Sequence, residues 1–138
     1  MYEKTILTVA RIIITPLFIY SGVGKILHFS DNVTKTPFGD TLIGQLMIVA
    51  AIIIELGGSL SFITGYRLRA ASIIWIIYVF LTSILFLQFW LYTGAQQSSQ
   101  FIAFGKNLSI IAGLLYFSLF SPEPVASARA TSLQTGSK

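Results

Sequence analysis

Ionisable side chains inside long apolar stretches are the first candidates for chemistry in this sequence. They are Arg11, Lys25, Glu55 and Lys106. Each charge placed inside a membrane-spanning helix costs about 2.5–3.5 kcal/mol on insertion scales, so it is expected to have a partner or a function. Together with Asn107, these residues are therefore ligand-binding or proton-linked candidates.

Position along the predicted helices suggests a partner for Glu55. At 1.5 Å per residue, Arg11 lies about 9 Å from the start of the first span, and Glu55 lies about 13 Å from the end of the second span. Both of these span ends are predicted to lie on the cytoplasmic side. We therefore predict an Arg11–Glu55 ion pair between the first and second spans. Two interpretations stay open, because a paired charge can serve only to fix helix register. In the other interpretation, Glu55 titrates or binds a ligand.

Lys25 and Lys106 lie near one end of the first and fourth spans, with His28 and Asn107 close by. Their side chains can extend along the helix to the lipid headgroups. Alternatively, they form the polar rim of a pocket in the outer leaflet, which would hold the headgroup of a quinone or another amphiphile. We expect His28 to be interfacial rather than catalytic.

Four uninterrupted apolar stretches predict membrane-spanning helices over about residues 5–28, 41–64, 70–93 and 101–120. About 20 helical residues cross a bilayer core, so each stretch is long enough. The connections are short, which predicts an all-α membrane protein whose four helices form an up-down-up-down antiparallel bundle over residues 1–120. We expect residues 121–138, rich in Ser, Thr, Ala and Pro, to be a disordered cytoplasmic tail.

Small residues on these helices predict close packing. Gly22 and Gly58 lie beside the candidate charges, while Gly105, Ser109 and Gly113 follow one another at four-residue spacing. A small-xxx-small face allows close helix contact, inside the bundle or in a homodimer.

An aromatic stripe on the third span has two interpretations. Its rings can line a ligand pocket, but such stripes more often serve packing, which is what we expect here. Its residues are Ala71, Trp75, Tyr78, Thr82 and Phe89.

Composition excludes several classes of protein. The sequence is 54% hydrophobic and 10% charged, too few charges to cover a soluble surface, so it predicts an integral membrane protein. The net charge of +4 comes from scattered residues and does not indicate nucleic-acid binding. With no cysteine and one histidine, we expect no cofactor bound covalently or through metal ligands. Any electrons must therefore belong to a diffusing molecule such as a quinone, or to a partner.

Basic residues predict the orientation of the bundle. Six of them fall on the side of the two termini and the second loop, against three on the opposite side: Lys4, Arg11, Arg67, Arg69, Arg129 and Lys138 against Lys25, Lys35 and Lys106. By the positive-inside rule both termini are predicted to be cytoplasmic, in a bacterial or archaeal cytoplasmic membrane. Arg11 interrupts the first apolar run, so we expect that span not to be a cleaved signal peptide.

Several short motifs resemble the DoxX family of membrane proteins, over about residues 6–120. They are Arg11 with Pro16 and Gly22-Val-Gly-Lys25; Glu55-Leu-Gly-Gly58, Thr64-Gly65 and Arg69-Ala-Ala71; and Phe104-Gly-Lys106-Asn107-Leu108 with Gly113-Leu-Leu115. The resemblance implies a four-helix membrane fold and a small subunit of a membrane oxidoreductase complex rather than a stand-alone catalyst. Related DoxD-type proteins belong to a thiosulfate:quinone oxidoreductase, but this chain has no cysteine for sulfur chemistry.

The leading hypothesis is a subunit of a quinone-linked oxidoreductase complex that contributes a quinone or lipid pocket. One alternative is a non-catalytic scaffold or assembly factor, and another, ranked below it, is a small proton-coupled transporter. The expected partners are membrane lipids and either another protein subunit or a second copy of the chain, with no nucleic acid.

Overall fold

The computed structural model describes residues 2–121, and within them it contains helices and no strand. The bounds are α1 Tyr2–Leu27, α2 Phe29–Thr34, α3 Leu42–Thr64, α4 Leu68–Phe86 and α5 Gly94–Phe120, with a 3-10 turn at Phe89–Leu91. The four long helices pack in chain order, α1 against α3, α3 against α4 and α4 against α5. The predicted all-α up-down-up-down bundle is confirmed. Apart from Ser121, the predicted tail lies outside the described residues.

The surface of the bundle is apolar. All four long helices are long and apolar enough to cross a membrane. Large side chains such as Ile13, Leu60 and Leu119 are more than 60% exposed. An exposed apolar surface of this extent is unfavourable in water and favourable in the hydrocarbon core of a bilayer, so the helices are in contact with lipid.

The connection between the last two long helices differs from the prediction. The predicted span 70–93 breaks after Phe86, and the predicted loop 94–100 forms the first turns of α5. Gly94 reverses the chain with a φ of 65°, a conformation that favours glycine. The ring of Phe89 packs edge-on against those of Phe101 and Phe104, with centroids 5.3 and 5.5 Å apart. A hydropathy profile does not predict this tertiary contact between rings.

An aromatic stack fills one half of the bundle, which we call the terminus half because it holds the start of α1 and the end of α5. The indole of Trp75 lies between Phe18, at 3.7 Å between ring centroids, and Phe62, at 4.6 Å. Phe117 meets Phe62 edge-on at 5.3 Å. All four long helices contribute a ring, so this half is solidly packed.

Gly58 allows Trp75 to approach the backbone of α3. The indole Nε1 donates a hydrogen bond to the carbonyl oxygen of Ile54 at 2.9 Å. A Cβ built on Gly58 would overlap the indole ring, whereas one built on Gly57 would meet no neighbouring atom. The predicted packing role of Gly58 thus has a specific cause, the fit of one tryptophan.

We predict that Gly58→Ala lowers the free energy of unfolding by roughly 1–3 kcal/mol, because the added methyl displaces a buried ring. The measurement is the thermal unfolding midpoint in detergent, followed by circular dichroism. Gly57→Ala is the matched control and should be neutral or slightly stabilising, since alanine has the higher helix propensity. Equal midpoints for the two variants would contradict this account of the Trp75 contact.

Candidate functional site

A buried polar cluster joins three helices around Glu55, whose side chain is 4% exposed. Oε1 accepts hydrogen bonds from Ser21 Oγ at 3.0 Å, Tyr78 OH at 2.6 Å and Lys25 Nζ at 2.9 Å. Oε2 accepts from Lys25 Nζ at 3.0 Å, and the ammonium also donates to Ser21 Oγ at 2.6 Å. We call these four residues the Glu55 cluster.

The Lys25–Glu55 ion pair makes this cluster electrically neutral. The lysine side chain is 19% exposed, so the pair is largely desolvated. A buried carboxylate is tolerable when it is paired and hydrogen-bonded, and removing one partner leaves an uncompensated charge. The cluster therefore holds α1 against α3 and also presents polar atoms within an apolar bundle.

The predicted Arg11–Glu55 ion pair is wrong. Gly22 packs beside Glu55 and Leu56, whereas the guanidinium of Arg11 lies against Gly65 at the end of α3. In this antiparallel register Arg11 is offset from Glu55 by roughly 15 Å, at 1.5 Å per residue. The prediction assumed that the start of the first apolar stretch lies level with the end of the second. The register of the two helices is set instead by side-chain packing.

Arg11 contacts the terminus half of the bundle. Its Nη2 donates to Thr8 Oγ1 at 3.1 Å, and its Nη1 lies beside Gly65, which caps α3 with a φ of 74°. The C-terminal end of a helix carries partial negative charge, so a cation is stabilised there. This gives Arg11 a structural role away from the Glu55 cluster.

A cavity of about 530 Å³ lies beside the Glu55 cluster, in the half of the bundle opposite the aromatic stack. Most of its walls are apolar, with side chains such as Leu17, Met47 and Ile110. Lys25, Glu55, Tyr78, Thr82 and Asn107 supply polar atoms. The combination of an apolar body and a few convergent polar groups is typical of small-molecule sites.

A second, polar cavity of about 460 Å³ lies next to the first, and it is lined by residues of α1, of α2 and of the two positions that flank α2. The two cavities share Ser21, Lys25, Asn32 and Lys35. His28 lines only the second cavity and is exposed. Lys25 therefore lies at the boundary between the first, mainly apolar cavity and the second, polar cavity.

Two neighbouring candidates on α5 have different environments. Asn107 Nδ2 donates to Ser83 Oγ at 2.8 Å, which ties α5 to α4, and Asn107 lines the first cavity. Lys106 is exposed and is not among the residues that line either cavity. Of the predicted site residues, the structure therefore brings Lys25, Glu55 and Asn107 to one cavity and leaves Arg11 and Lys106 outside it.

The small residues likewise divide into two groups. A Cβ on Gly22 would come within 2.9 Å of the Leu56 side chain, so Gly22 brings α1 close to α3. By contrast, Gly105, Ser109 and Gly113 are exposed on α5, and a Cβ on either glycine would meet no neighbouring atom. This small-residue face of α5 consequently makes no close helix contact among the described residues.

Sequence reasoning missed two members of the Glu55 cluster. Tyr78 belongs to the aromatic stripe of the third span, for which the sequence predicts a packing role, and Ser21 is not among the predicted site residues. The available signal was spacing: Ser21 precedes Lys25 by one helical turn, and Tyr78 carries a hydroxyl that needs a partner when buried.

These features define an integral membrane protein with four spanning helices and an internal polar site. The DoxX family model matches residues 6–88, which include Lys25, Glu55 and Tyr78, so the chain belongs to the DoxX family. No solved structure matches the chain.

The chain is also similar to bacterial membrane proteins over most of its length. Inner membrane protein YphA of Escherichia coli is 24% identical over 124 residues, which are 90% of this chain and 89% of YphA. Inner membrane protein YqjF of Escherichia coli is 28% identical over 114 residues, 83% of this chain and 82% of YqjF. An uncharacterized Haemophilus influenzae protein is 28% identical over 116 residues, 83% of this chain and 81% of its own length.

We predict that Lys25→Met lowers the free energy of unfolding by about 3–5 kcal/mol, because it leaves the Glu55 carboxylate buried and unpaired. Adding Glu55→Leu to this variant should recover much of the loss. The measurement is a double-mutant cycle of unfolding free energies in detergent.

Arg11→Met with Glu55→Leu is the matched cycle for the partner predicted from the sequence. Its two effects should add within roughly 0.5 kcal/mol, as expected for separated residues. A coupling energy for Arg11 and Glu55 as large as that for Lys25 and Glu55 would contradict the register described here.

Proposed function

We propose that this protein binds a membrane-soluble amphiphile, a quinone-type ring or a lipid, in the cavity beside the Glu55 cluster. The observation that carries the proposal is an apolar cavity of about 530 Å³ with a paired carboxylate in its wall. Its volume is within the range of roughly 300–1,000 Å³ typical of ligand sites. The headgroup would contact Glu55, Tyr78 and Asn107, and the tail would lie along the apolar wall.

We further propose that the chain acts as a small subunit of a quinone-linked membrane oxidoreductase complex. It has no cysteine and one histidine, so its own side chains offer little for electron transfer. A bound quinone or a partner subunit would carry the electrons. The role of this chain would be to hold the ring and to position hydrogen-bonding groups around it.

The distribution of basic residues supports an orientation with both termini in the cytoplasm. Lys4 near the start of α1, Arg67 between α3 and α4, and Arg69 in the first turn of α4 lie at the same end of the bundle. Basic residues favour the cytoplasmic side. In this orientation the cavity occupies the outer half of the membrane.

We predict that Ala51→Phe removes the bound amphiphile, because Ala51 is a buried residue of α3 in the cavity wall. The measurement is mass spectrometry of organic extracts from protein purified in mild detergent. Ala70→Phe, at an exposed position outside the cavity lining, is the matched control and should keep the wild-type content of ligand.

Quinone or lipid retained equally by wild type, Ala51→Phe and Ala70→Phe would mean that the molecule binds elsewhere. Wild-type protein that carries no amphiphile, and takes none up from added quinone or lipid, would overturn the proposed function.

The small-residue face of α5 favours a second candidate, a scaffold that docks another membrane helix. Gly105, Ser109 and Gly113 are all exposed there at four-residue spacing, an arrangement that permits close helix approach. The docked helix would belong to a partner subunit or to a second copy of the chain.

We predict that leucine at both Gly105 and Gly113 dissociates this complex and reduces the mass of the detergent-solubilised particle measured by light scattering. Ile102→Leu, an exposed position on the same helix, is the control and should leave the mass unchanged. An unchanged mass for the double variant would remove the scaffold candidate at this face.

A further inference from the structure

The second, polar cavity is lined by charged groups that the Glu55 cluster does not use. Asp31 and Lys35 both line it, and both are exposed. Asp31 lies in the first turn of α2 and Lys35 follows its last residue, so the two lie about one helical turn apart. Neither side chain has a hydrogen-bond or ion-pair partner among residues 2–121. The cavity therefore offers a ligand one carboxylate and one ammonium.

The charge of Lys25, which also lines this cavity, is already balanced, because its ammonium is paired with Glu55 at 2.9 Å. A purely anionic ligand beside Lys35 would face the Asp31 carboxylate, and a purely cationic ligand beside Asp31 would face the Lys35 ammonium. Like charges close together repel each other. A ligand that carries one charge of each sign avoids both repulsions.

Neutral polar groups complete the wall and suit the same ligand. Asn32 keeps one amide hydrogen after Nδ2 donates to the His28 carbonyl at 2.7 Å. A phosphate has strong acceptor oxygens, so it matches the hydrogens of Lys35 and Asn32. A primary ammonium has three N–H donors, which match the oxygens of Asp31.

An exposed apolar stripe on α1 leads away from this cavity. Tyr20 lines the cavity, and Leu17 and Ile13 precede it at spacings of three and four residues, which places all three on one helix face. Their exposed fractions are 82%, 52% and 71%. The stripe is roughly 10 Å long at 1.5 Å per residue. Hydrocarbon chains can lie along it while a polar group attached to them occupies the cavity.

We propose that the second cavity binds the headgroup of a zwitterionic phospholipid, a phosphate joined to a primary ammonium as in phosphatidylethanolamine. The phosphate would lie toward Lys35 and the ammonium toward Asp31, with the chains on the stripe that starts at Tyr20. This site goes beyond the proposed function, since Asp31 and Tyr20 line the second cavity and not the first.

The experiment is a competition among three lipids with the same chains. Full-length protein in detergent receives an equimolar mixture of dioctanoyl phosphatidylethanolamine, dioctanoyl phosphatidylglycerol and dioctanoylglycerol, and native mass spectrometry measures the bound lipids. Phosphatidylethanolamine should be bound about fivefold more than either competitor, the effect of one partly exposed ion pair of about 1 kcal/mol. Equal binding of the three lipids, or a preference for phosphatidylglycerol, would overturn the proposal.

Substitution of the two charged residues tests the assignment through the protein. Asp31→Asn should lower the ratio of phosphatidylethanolamine to phosphatidylglycerol about fivefold, because the ammonium loses its partner. Lys35→Met should lower the ratio of phosphatidylethanolamine to dioctanoylglycerol by a similar factor, because the phosphate loses its partner. Both side chains are exposed and make no described contact, so both variants should keep the wild-type unfolding midpoint.

Asp40→Asn and Lys4→Met are the matched controls. They remove the same charges at exposed positions that line neither cavity, so they should keep the wild-type ratios. Wild-type ratios in folded Asp31→Asn and Lys35→Met proteins would mean that the lipid binds elsewhere, and the proposal would fail.

Two further measurements separate this site from other sources of the same chemistry. Ala51→Phe fills the first cavity and should leave the lipid ratios unchanged. Loss of the preference in that variant would place the lipid in the first cavity, which overturns this inference and leaves the proposed function standing. Excess soluble O-phosphoethanolamine should leave the bound lipid in place. Displacement of the lipid would show that the headgroup alone binds, and it would overturn the assignment to a phospholipid.

Discussion

The buried ion pair between Lys25 and Glu55 is the constraint on which the rest of the structure depends. A carboxylate in the middle of an apolar helix must have a partner, and the partner fixes the register of α1 against α3. Gly22 permits this register, since any larger residue there would meet Leu56. Once α1 and α3 are fixed, Tyr78 of α4 completes the cluster from the third side.

The two halves of the bundle differ because of where the aromatic rings lie. Phe18, Phe62 and Trp75 fill the terminus half with stacked rings. The opposite half contains a cavity of about 530 Å³ beside the Glu55 cluster. An apolar cavity with a few convergent polar atoms in its wall is typical of a small-molecule site, which is the physical basis of the proposed function.

The fold followed from the sequence because hydropathy and span length determine membrane helices directly. Glu55, Lys25 and Asn107 were also identifiable, since polar residues in apolar stretches are conspicuous. The contacts among these residues could not be predicted from the sequence, because ion pairing depends on helix register. Arg11 and Lys25 are both cations on α1, and the sequence alone does not say which of them pairs with Glu55. The position of Tyr78 in the aromatic stripe favours packing and does not reveal its hydrogen bond to Glu55. The break after Phe86 depends on the contact of Phe89 with α5.

The pairing of Glu55 also favours a ligand-binding site over a proton-coupled transport site. A carboxylate that exchanges protons for a transported cation must be free to release its partner, but Glu55 is held by Lys25, Ser21 and Tyr78 together. A fixed lysine neutralises the charge that would attract a cation. The same arrangement suits a neutral headgroup, because the charges of Lys25 and Glu55 already cancel. Ligand binding is therefore the use that this geometry favours.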